Sequence, residues 1–368
     1  MGISGLLPFL KKNAPHSYVR IEAKTFHKKR ISIDGYSWVY TQWYGASKGA
    51  TRWVEDLGKD DIDKDLVIKA VIKRFLKFNT DLIMFGITPI WAWDGEALPD
   101  KLDTKAEREK SRKKTDDGLK LARENVKGKK KEDYTQEEIK LLLSKAAQSC
   151  RVDMRVFDEL RVVCENTGIP SITAKHEGEY LASCLCIEKI AACVWSRDTD
   201  PIAIGCPLTF SLFEKKDEDF YFEGIFMVEV LKSLKMSYHG FRDLCILYGT
   251  DFNKNMKGYG PAKNYSLVKK YGSIENISEV MDTTCLNFEK VRELLTPECS
   301  GIEDMSLVNM DKTKKYSSEL DRFDMKDSFS SFFELLETFP EAENTTKETK
   351  RSPNSNVIVD SESDSDSE

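Results

Sequence analysis

The chain has 368 residues, of which 40% are hydrophobic and 32% charged, with a net charge of −6. This apolar content excludes a wholly disordered chain, and no apolar stretch approaches the roughly 20 residues that cross a bilayer. Residues 101–131 concentrate 13 basic side chains against 6 acidic ones. Such a local positive field can attract nucleic acid even when the whole chain is slightly acidic.

Three short apolar runs, each followed within two residues by an aspartate, alternate with helical patterns. The runs cover residues 31–33, 89–93 and 190–196, and helical periodicity is clearest over residues 65–80. This alternation predicts an α/β fold with a mostly parallel central sheet flanked by helices. Ligands of such sheets bind beyond the carboxyl ends of the strands, where these aspartates fall.

The remaining segments differ in composition, and we divide the chain accordingly. Residues 100–150 are polar, basic and rich in helix formers, with a turn at 128–131, and residues 241–273 predict two helices joined by a glycine-containing turn. From residue 345 the composition is typical of a disordered acidic tail. The regions are an N-terminal region (1–100), a basic helical insertion (101–150), an internal region (151–240), a helix–turn–helix region with C-terminal helices (241–344) and the tail (345–368).

Seven acids stand in strand-end or turn contexts at five places in the chain. They are Asp34, Asp94, Glu177, Glu179, Asp198, Asp200 and Asp251. A single aspartate of this kind is usually a turn former or helix cap, but several at one sheet edge repel one another unless cations share the site. Oxygen ligands without nearby His or Cys favour Mg²⁺ or Mn²⁺ over zinc. Two such ions about 4 Å apart can activate water against a phosphodiester.

Two basic residues follow Asp94 at helical spacing. Lys101 and Arg108 are seven positions apart and so share one helix face. They can direct two cations at a phosphate bound over the metal ions. A solvent-facing amphipathic helix explains the same spacing.

These motifs resemble the XPG/flap-endonuclease family of structure-specific 5′ nucleases, which includes flap endonuclease and exonuclease-1. In the family's order they are MGISGLLPFLK, IDGYSWVY with Asp34, WAWDGEALPDK with Asp94, HEGEYLA with Glu177 and Glu179, SRDTD with Asp198 and Asp200, and LCILYGTDF with Asp251, followed by KGYGPAK. The resemblance runs from residue 1 to about residue 272. It implies a PIN-like nuclease core with a helical arch and a helix-two-turn-helix, and the seven acids as metal ligands.

The resemblance also implies roles near the cut bond. Lys101 and Arg108 match arch cations that contact the scissile phosphate, and Gly2 matches a position that lies against the active site. Tyr40 matches an aromatic residue that stacks on a base near the cleavage point. A helix residue packed in the core is an equal alternative for Tyr40.

The resemblance also implies that the turn over residues 255–260 binds duplex DNA. There the backbone around Gly258 and Gly260 would hold a K⁺ ion and a phosphate of the uncut duplex, with Lys263 assisting.

The expected function is that of a magnesium-dependent hydrolase that cuts DNA at 5′ flaps or single-strand/double-strand junctions in replication and repair. The alternatives are a 5′→3′ double-strand exonuclease of exonuclease-1 type and a non-catalytic junction-binding scaffold. We expect a monomer without a membrane partner, located in the nucleus or at a cytoplasmic site of viral DNA replication.

The C-terminal part suggests two further partners. Residues 326–333 (KDSFSSFF) imitate a sliding-clamp peptide, although a plain helix packing Phe329, Phe332, Phe333 and Leu336 explains the same spacing. Residues 357–359 (VIV), followed by alternating Asp and Ser, could add a strand to a partner's sheet, as SUMO-binding peptides do. A solubilising acidic tail is the alternative.

Overall fold

Seven strands form one mixed sheet in a computed structural model of the chain, which describes residues 2–96, 105–216, 219–296 and 305–343. They are β1 (Tyr18–Glu22), β2 (Arg30–Asp34), β3 (Thr88–Trp93), β4 (Ser171–Thr173), β5 (Val194–Trp195), β6 (Leu208–Lys216) and β7 (Asp219–Phe226). The spatial order is β1-β7-β6-β5-β2-β3-β4. The five strands from β6 to β4 run parallel, while β7 pairs antiparallel with both β6 and β1. The prediction of a mostly parallel central sheet is confirmed.

Helices pack on both sides of this sheet. In the described residues they are α1 (Leu6–Asn13), α2 (Gly35–Ala50), α3 (Lys64–Met84), α4 (Lys105–Asn125), α5 (Gln136–Ser149), α6 (Arg155–Thr167), α7 (Gly178–Ile187), α8 (Asp200–Ile204), α9 (Met227–Leu234), α10 (Tyr238–Tyr248), α11 (Pro261–Tyr271), α12 (Ile274–Ser278), α13 (Phe288–Leu294) and α14 (Lys326–Glu337). None of the helices within these ranges is long and apolar enough to cross a membrane.

An aromatic core fixes the central strands. Every residue of β2 and β3 is buried, as expected for parallel strands covered on both faces. Trp91 packs edge-on against Trp38, with ring centroids 5.3 Å apart, and its indole Nε1 donates to Asn79 Oδ1 over 2.9 Å. The carboxyl ends of these strands are therefore held in a rigid, dry environment.

A second apolar core lies under α1 and α8–α13 and is braced by an ion-pair network. Asp243 on α10 is 2% exposed and accepts from Arg292 Nη2 over 2.6 Å and from the Ile274 amide over 3.1 Å. Arg292 also pairs with Glu275. The network ties α10 to α12 and α13, and so fixes the helix that precedes Asp251.

The basic insertion is helical where it is described, as predicted. Helices α4 and α5 are joined through a turn at Gly128, whose φ is +84°. Arg123 of α4 donates to Leu57 O over 3.1 Å and to Asp60 O over 2.6 Å, which holds the hairpin to the segment between α2 and α3.

Some expectations fall beyond what the structure describes. Lys101 and the tail from residue 345, with residues 357–359, lie outside the described residues, and Arg108 is described only as a backbone position of α4. The five-region division stays a prediction. The two helices expected over residues 241–273 are confirmed as α10 and α11, the second beginning at Pro261.

Residues 326–333 belong to a core helix rather than to an exposed peptide. Phe329 and Phe332 on α14 are fully buried, and Leu336 is 2% exposed. The helix alternative is therefore the arrangement that we observe, and clamp binding through these rings would require α14 to leave the core.

We expect Phe332→Ala to lower the free energy of unfolding by about 3–5 kcal/mol, because it leaves a cavity in the main core. Urea unfolding of this variant and of the control Ser331→Ala, an exposed position on the same helix, measures the difference. A loss below about 0.5 kcal/mol, typical of an exposed residue, would contradict the packing of α14.

Candidate metal centre

Four of the acids lie at the carboxyl ends of three neighbouring strands. Asp34 is the last residue of β2, Asp94 directly follows β3, and Asp198 and Asp200 follow β5. Because β3, β2 and β5 are adjacent and parallel, these ends meet at one edge of the sheet. Asp34 also caps α2, since its Oδ1 accepts from the Ser37 amide over 3.0 Å.

The carboxylate of Asp34 is buried and has a strongly raised pKa. Asp34 is 4% exposed, and burial raises its pKa to about 7, with the charges of Asp94 and Asp198 adding to the rise. Hydrogen bonds from Ser37 and Ser196 oppose this rise. The charges of Asp94 and Asp198 therefore act on Asp34, and a cation beside Asp34 would favour its ionised form.

Ser196 connects two of these acids. Its Oγ donates to Asp34 Oδ2 over 2.8 Å and accepts from the Asp198 amide over 3.0 Å. The Thr199 amide donates to Asp198 Oδ1 over 2.6 Å. The segment after β5 is thus held against the end of β2.

The start of α7 brings the paired glutamates to the same edge. The Gly178 amide, between Glu177 and Glu179, donates to Asp94 Oδ1 over 2.8 Å. A Cβ on Gly178 would lie 2.8 Å from Ala92 O, so glycine is what allows α7 to approach the end of β3 this closely.

Three carboxylates converge closely enough to share one ion. One oxygen each from Glu179, Asp198 and Asp200 lies within 4.8 Å of the others. Asp200 is 3% exposed and opens α8, and Pro201 occupies the first turn of this helix, where proline is tolerated. A cluster of carboxylate oxygens alone is the donor set that hard divalent cations prefer. These residues fit a divalent metal ion.

The phenol of Tyr180 responds to acids from two parts of the chain. Burial and then the charges of Asp200, Glu179, Glu177 and Asp251 raise the pKa of its phenol well above the usual range. Asp251, which follows α10, thus acts on the first turn of α7 through its charge. The strand ends, the Gly178 amide and the close carboxylate oxygens bring the other six predicted acids to one edge of the sheet.

Gly2 lies directly against the acids. Its φ is +78°, and an added Cβ would be 1.8 Å from Asp198 Oδ1. The next amide, Ile3 N, donates to Thr199 Oγ1 over 2.7 Å. The position requires glycine both for its backbone and for its space.

Tyr40 and the turn residues lie on accessible surfaces. Tyr40 on α2 is 51% exposed, so the core alternative for this side chain is wrong. Among the described residues, no atom beyond the immediate chain neighbours lies within 4 Å of a Cβ added at Gly258 or Gly260. Lys263 Nζ donates to Gly258 O over 3.2 Å, so this lysine lies against the turn rather than among the acids.

Three residues next to the acids belong to the candidate site although the sequence analysis did not predict them. Ser196 follows a buried strand in the way that the aspartates do, and this position could have indicated a role. Thr199 lies inside the SRDTD motif and Tyr180 inside HEGEYLA, but neither carries a signal of its own in the sequence.

Two family models match the chain: the XPG N-terminal domain over residues 1–115 and the XPG I-region over residues 168–251. Together they cover more than half of the 368 residues and include all seven acids. The chain belongs to the XPG family.

The chain is also similar to a flap endonuclease in sequence and to two solved structures in fold. The flap endonuclease 1 of Cryptosporidium muris (strain RN66) is 27% identical over 311 residues, which are 80% of this chain, and the chain spans 62% of that relative's length. The flap endonuclease-1 of Methanococcus jannaschii has a TM-score of 0.58 at 21% identity, over 87% of this chain and 96% of that one. The catalytic core of Rad2 in complex with DNA substrate has a TM-score of 0.53 at 19% identity, over 90% and 99%. The predicted PIN-like fold is confirmed.

We expect Ser196→Ala to weaken Mn²⁺ binding about 10- to 100-fold, because outer hydrogen bonds orient the carboxylates that hold a metal. Isothermal titration calorimetry with Mn²⁺ measures the effect. Ser32→Ala is the matched control, since Ser32 is equally buried but donates to Ala182 O over 2.8 Å. Equal Mn²⁺ affinities for the two variants would contradict the role of Ser196.

Proposed function

We propose that this chain is a magnesium-dependent, structure-specific 5′ nuclease that hydrolyses DNA phosphodiesters at 5′ flaps and single-strand/double-strand junctions in replication and repair. The observation that carries the proposal is the carboxylate cluster at one sheet edge, in which oxygens of Glu179, Asp198 and Asp200 lie within 4.8 Å of one another. Membership of the XPG family and similarity to a flap endonuclease 1 support it.

The chain's own residues would prepare this edge for the reaction. Two Mg²⁺ ions, or Mn²⁺ in their place, supply when bound an activated water and stabilisation of the charge on the phosphate. Ser196 holds Asp34 and Asp198 in fixed orientation. Gly2, having no side chain, leaves Asp198 accessible. The buried strand ends exclude bulk water, which strengthens each electrostatic interaction.

Lys101 and Arg108 are proposed to stabilise the phosphate from the other side. The family resemblance assigns them this role, and guanidinium and ammonium groups suit a transferring phosphoryl group. Arg108 is a backbone position of α4.

The turn between α10 and α11 is proposed to bind the uncut duplex. The open space around Gly258 and Gly260 admits a phosphate close to the backbone, and α11 begins immediately after the turn. Carbonyl oxygens of this turn would hold a K⁺ ion, and Lys263 would neutralise part of the phosphate charge.

The proposal extends to the protein's location, oligomeric state and partners. A DNA substrate favours the nucleus, or a cytoplasmic site of viral DNA replication, and a monomer suffices because one chain carries all seven acids. Recruitment by a sliding clamp or a SUMO-like partner stays a prediction.

Tyr40 gives a test of base stacking. We expect Tyr40→Ala to slow cleavage about 5- to 150-fold, because aromatic stacking on one base contributes about 1–3 kcal/mol. Tyr44→Ala is the control, since Tyr44 lies one helical turn further on α2 and is 45% exposed. Single-turnover cleavage of a flap substrate measures both, and equal rates would remove Tyr40 from the substrate contact.

The substrate itself is tested with two labelled DNAs, a 5′ flap and a recessed duplex without a flap, each with and without Mg²⁺. We expect one cut at the base of the flap. A ladder of short products from the duplex would instead indicate the exonuclease, and tight junction binding without cleavage would indicate the scaffold.

In the same assay we expect Asp198→Asn to abolish cleavage and to retain DNA binding, because it removes a charged ligand from the cluster. Asp327→Asn, at an exposed position on α14, serves as the control. Cleavage by the Asp198 variant at the wild-type rate would exclude Asp198 from the metal site.

A further inference from the structure

Thr199 stands between two of the candidate metal ligands, Asp198 and Asp200, directly before α8. A threonine in this position usually caps the helix, because its side-chain oxygen accepts from an amide of the first turn. The Thr199 side chain makes no such bond to α8, a helix that the structure describes in full. Its carbonyl oxygen accepts from the Ile202 amide over 3.0 Å. The backbone of Thr199 therefore begins α8, while its hydroxyl serves another part of the chain.

That part is the N-terminal segment, which we define as residues 2–5. Thr199 Oγ1 accepts a hydrogen bond of 2.7 Å from the amide of Ile3, a residue 196 positions earlier in the chain. Both residues are buried, so the bond forms in a dry environment, where hydrogen bonds are stronger. Removal of the acceptor would leave a buried amide without this partner, which costs free energy.

The N-terminal segment lies against Asp198. The φ of Gly2 is +78°, and a Cβ at Gly2 would be 1.8 Å from Asp198 Oδ1 and 2.5 Å from Thr199 Oγ1. The same Asp198 oxygen accepts from the Thr199 amide over 2.6 Å. The backbone of Gly2 and the amide of Thr199 thus both restrict the rotation of this carboxylate.

Helix α1 fixes the chain directly after the N-terminal segment. The ring of Phe9 packs edge-on against Tyr248 and Tyr265, with centroids 5.7 Å and 5.3 Å apart. These contacts do not involve Thr199. The N-terminal segment is therefore held at one end by α1 and at the other by the Thr199 hydroxyl, and loss of that hydroxyl releases only the end that lies against the acids.

We propose that Thr199 is a positioning residue of the cation site, whose hydroxyl holds the N-terminal segment against Asp198 as one wall of that site. The inference rests on the proposed function, because it requires that the acids bind a divalent cation. Groups that orient metal ligands by hydrogen bonding contribute about 10- to 100-fold to metal affinity. The hydroxyl of Thr199, and not its methyl group, has this role.

Two substitutions separate the hydroxyl of Thr199 from its methyl group. Thr199→Val keeps the shape of the side chain and removes the acceptor, whereas Thr199→Ser keeps the acceptor and removes the methyl group. We expect Thr199→Val to bind Mn²⁺ about 10-fold more weakly than the wild type, and Thr199→Ser to bind it as the wild type does. A threonine that only packs against its neighbours would give the reverse order.

Thr209→Val is the matched control. Thr209 lies on β6 and is buried to the same extent as Thr199, but its side-chain oxygen has no hydrogen-bond partner among the described residues. The same substitution there removes no bond to the N-terminal segment. We expect its Mn²⁺ affinity to equal that of the wild type.

Mn²⁺ affinity is measured in the full chain by electron paramagnetic resonance of free Mn²⁺. Hydrogen–deuterium exchange at the Ile3 amide, measured without metal, reports the anchoring of the segment independently of any cation. We expect a protected Ile3 amide in the wild type, in Thr199→Ser and in Thr209→Val, and faster exchange in Thr199→Val. An unprotected Ile3 amide in the wild-type chain would overturn the proposal without any variant.

A second variant, Gly2→Ala, approaches the same contact from the other side. Its Cβ would displace the N-terminal segment from Asp198, and we expect weaker Mn²⁺ binding. Because each change releases the same segment, Gly2→Ala combined with Thr199→Val should bind Mn²⁺ no more weakly than the weaker single variant. Additive losses would indicate independent effects and would overturn the proposal.

Wild-type Mn²⁺ affinity in Thr199→Val, with or without faster exchange at Ile3, would overturn the role of Thr199 and leave the cation site intact. An equal loss of affinity in Thr199→Ser would also overturn it, because the methyl group would then be the part that matters. Failure of the wild-type chain to bind Mn²⁺ would be a different result, since it would overturn the cation site and with it both the proposed function and this inference.

Discussion

Carboxylates held together at the dry end of a sheet repel one another, and this repulsion sets the requirements that the surrounding structure meets. Burial and neighbouring acids raise the pKa of Asp34 to about 7, so the metal-free site disfavours the fully ionised cluster. Only a rigid scaffold can keep such groups close. Trp91 and Trp93 of β3, which stack on each other, and Trp38 of α2, which packs edge-on against Trp91, provide that rigidity, since a packed core resists the small displacements that would separate the charges.

Two glycines allow distant parts of the chain to approach the acids closely, because they have no Cβ atom. Gly2 lies on Asp198 and Gly178 lies on Ala92 O, at distances that no Cβ would allow. Short polar groups then fix the approach, because the Ser196 hydroxyl bonds both Asp34 and the backbone of Asp198. Sequence, packing and chemistry are linked here: small residues permit backbone contact, the contact brings carboxylates together, and the carboxylates create a site for hard cations.

Much of this arrangement is predictable from the sequence because buried parallel strands are short apolar runs and their ends carry the acids. β2, β3, α3 and the turn before Pro261 follow from periodicity and from turn residues. The antiparallel strands β6 and β7 do not follow from motif order, because their pairing is a tertiary event. The burial of Phe329 and Phe332 likewise cannot be predicted from the local sequence. A clamp-binding peptide and a core helix have the same spacing of aromatic residues. Tyr180 gives no signal because only the fold shows that its hydroxyl is buried without a hydrogen-bond partner among the described residues.

The central claim is that the seven acids form one divalent-cation site. Anomalous diffraction from crystals grown with Mn²⁺ tests it most directly, because the ion's position is seen without reference to activity. We expect an anomalous peak in contact with carboxylate oxygens of Glu179, Asp198 and Asp200, and the loss of that peak in Asp198→Asn. Crystals at saturating Mn²⁺ with no peak at this edge, or with ions bound only elsewhere, would contradict the account.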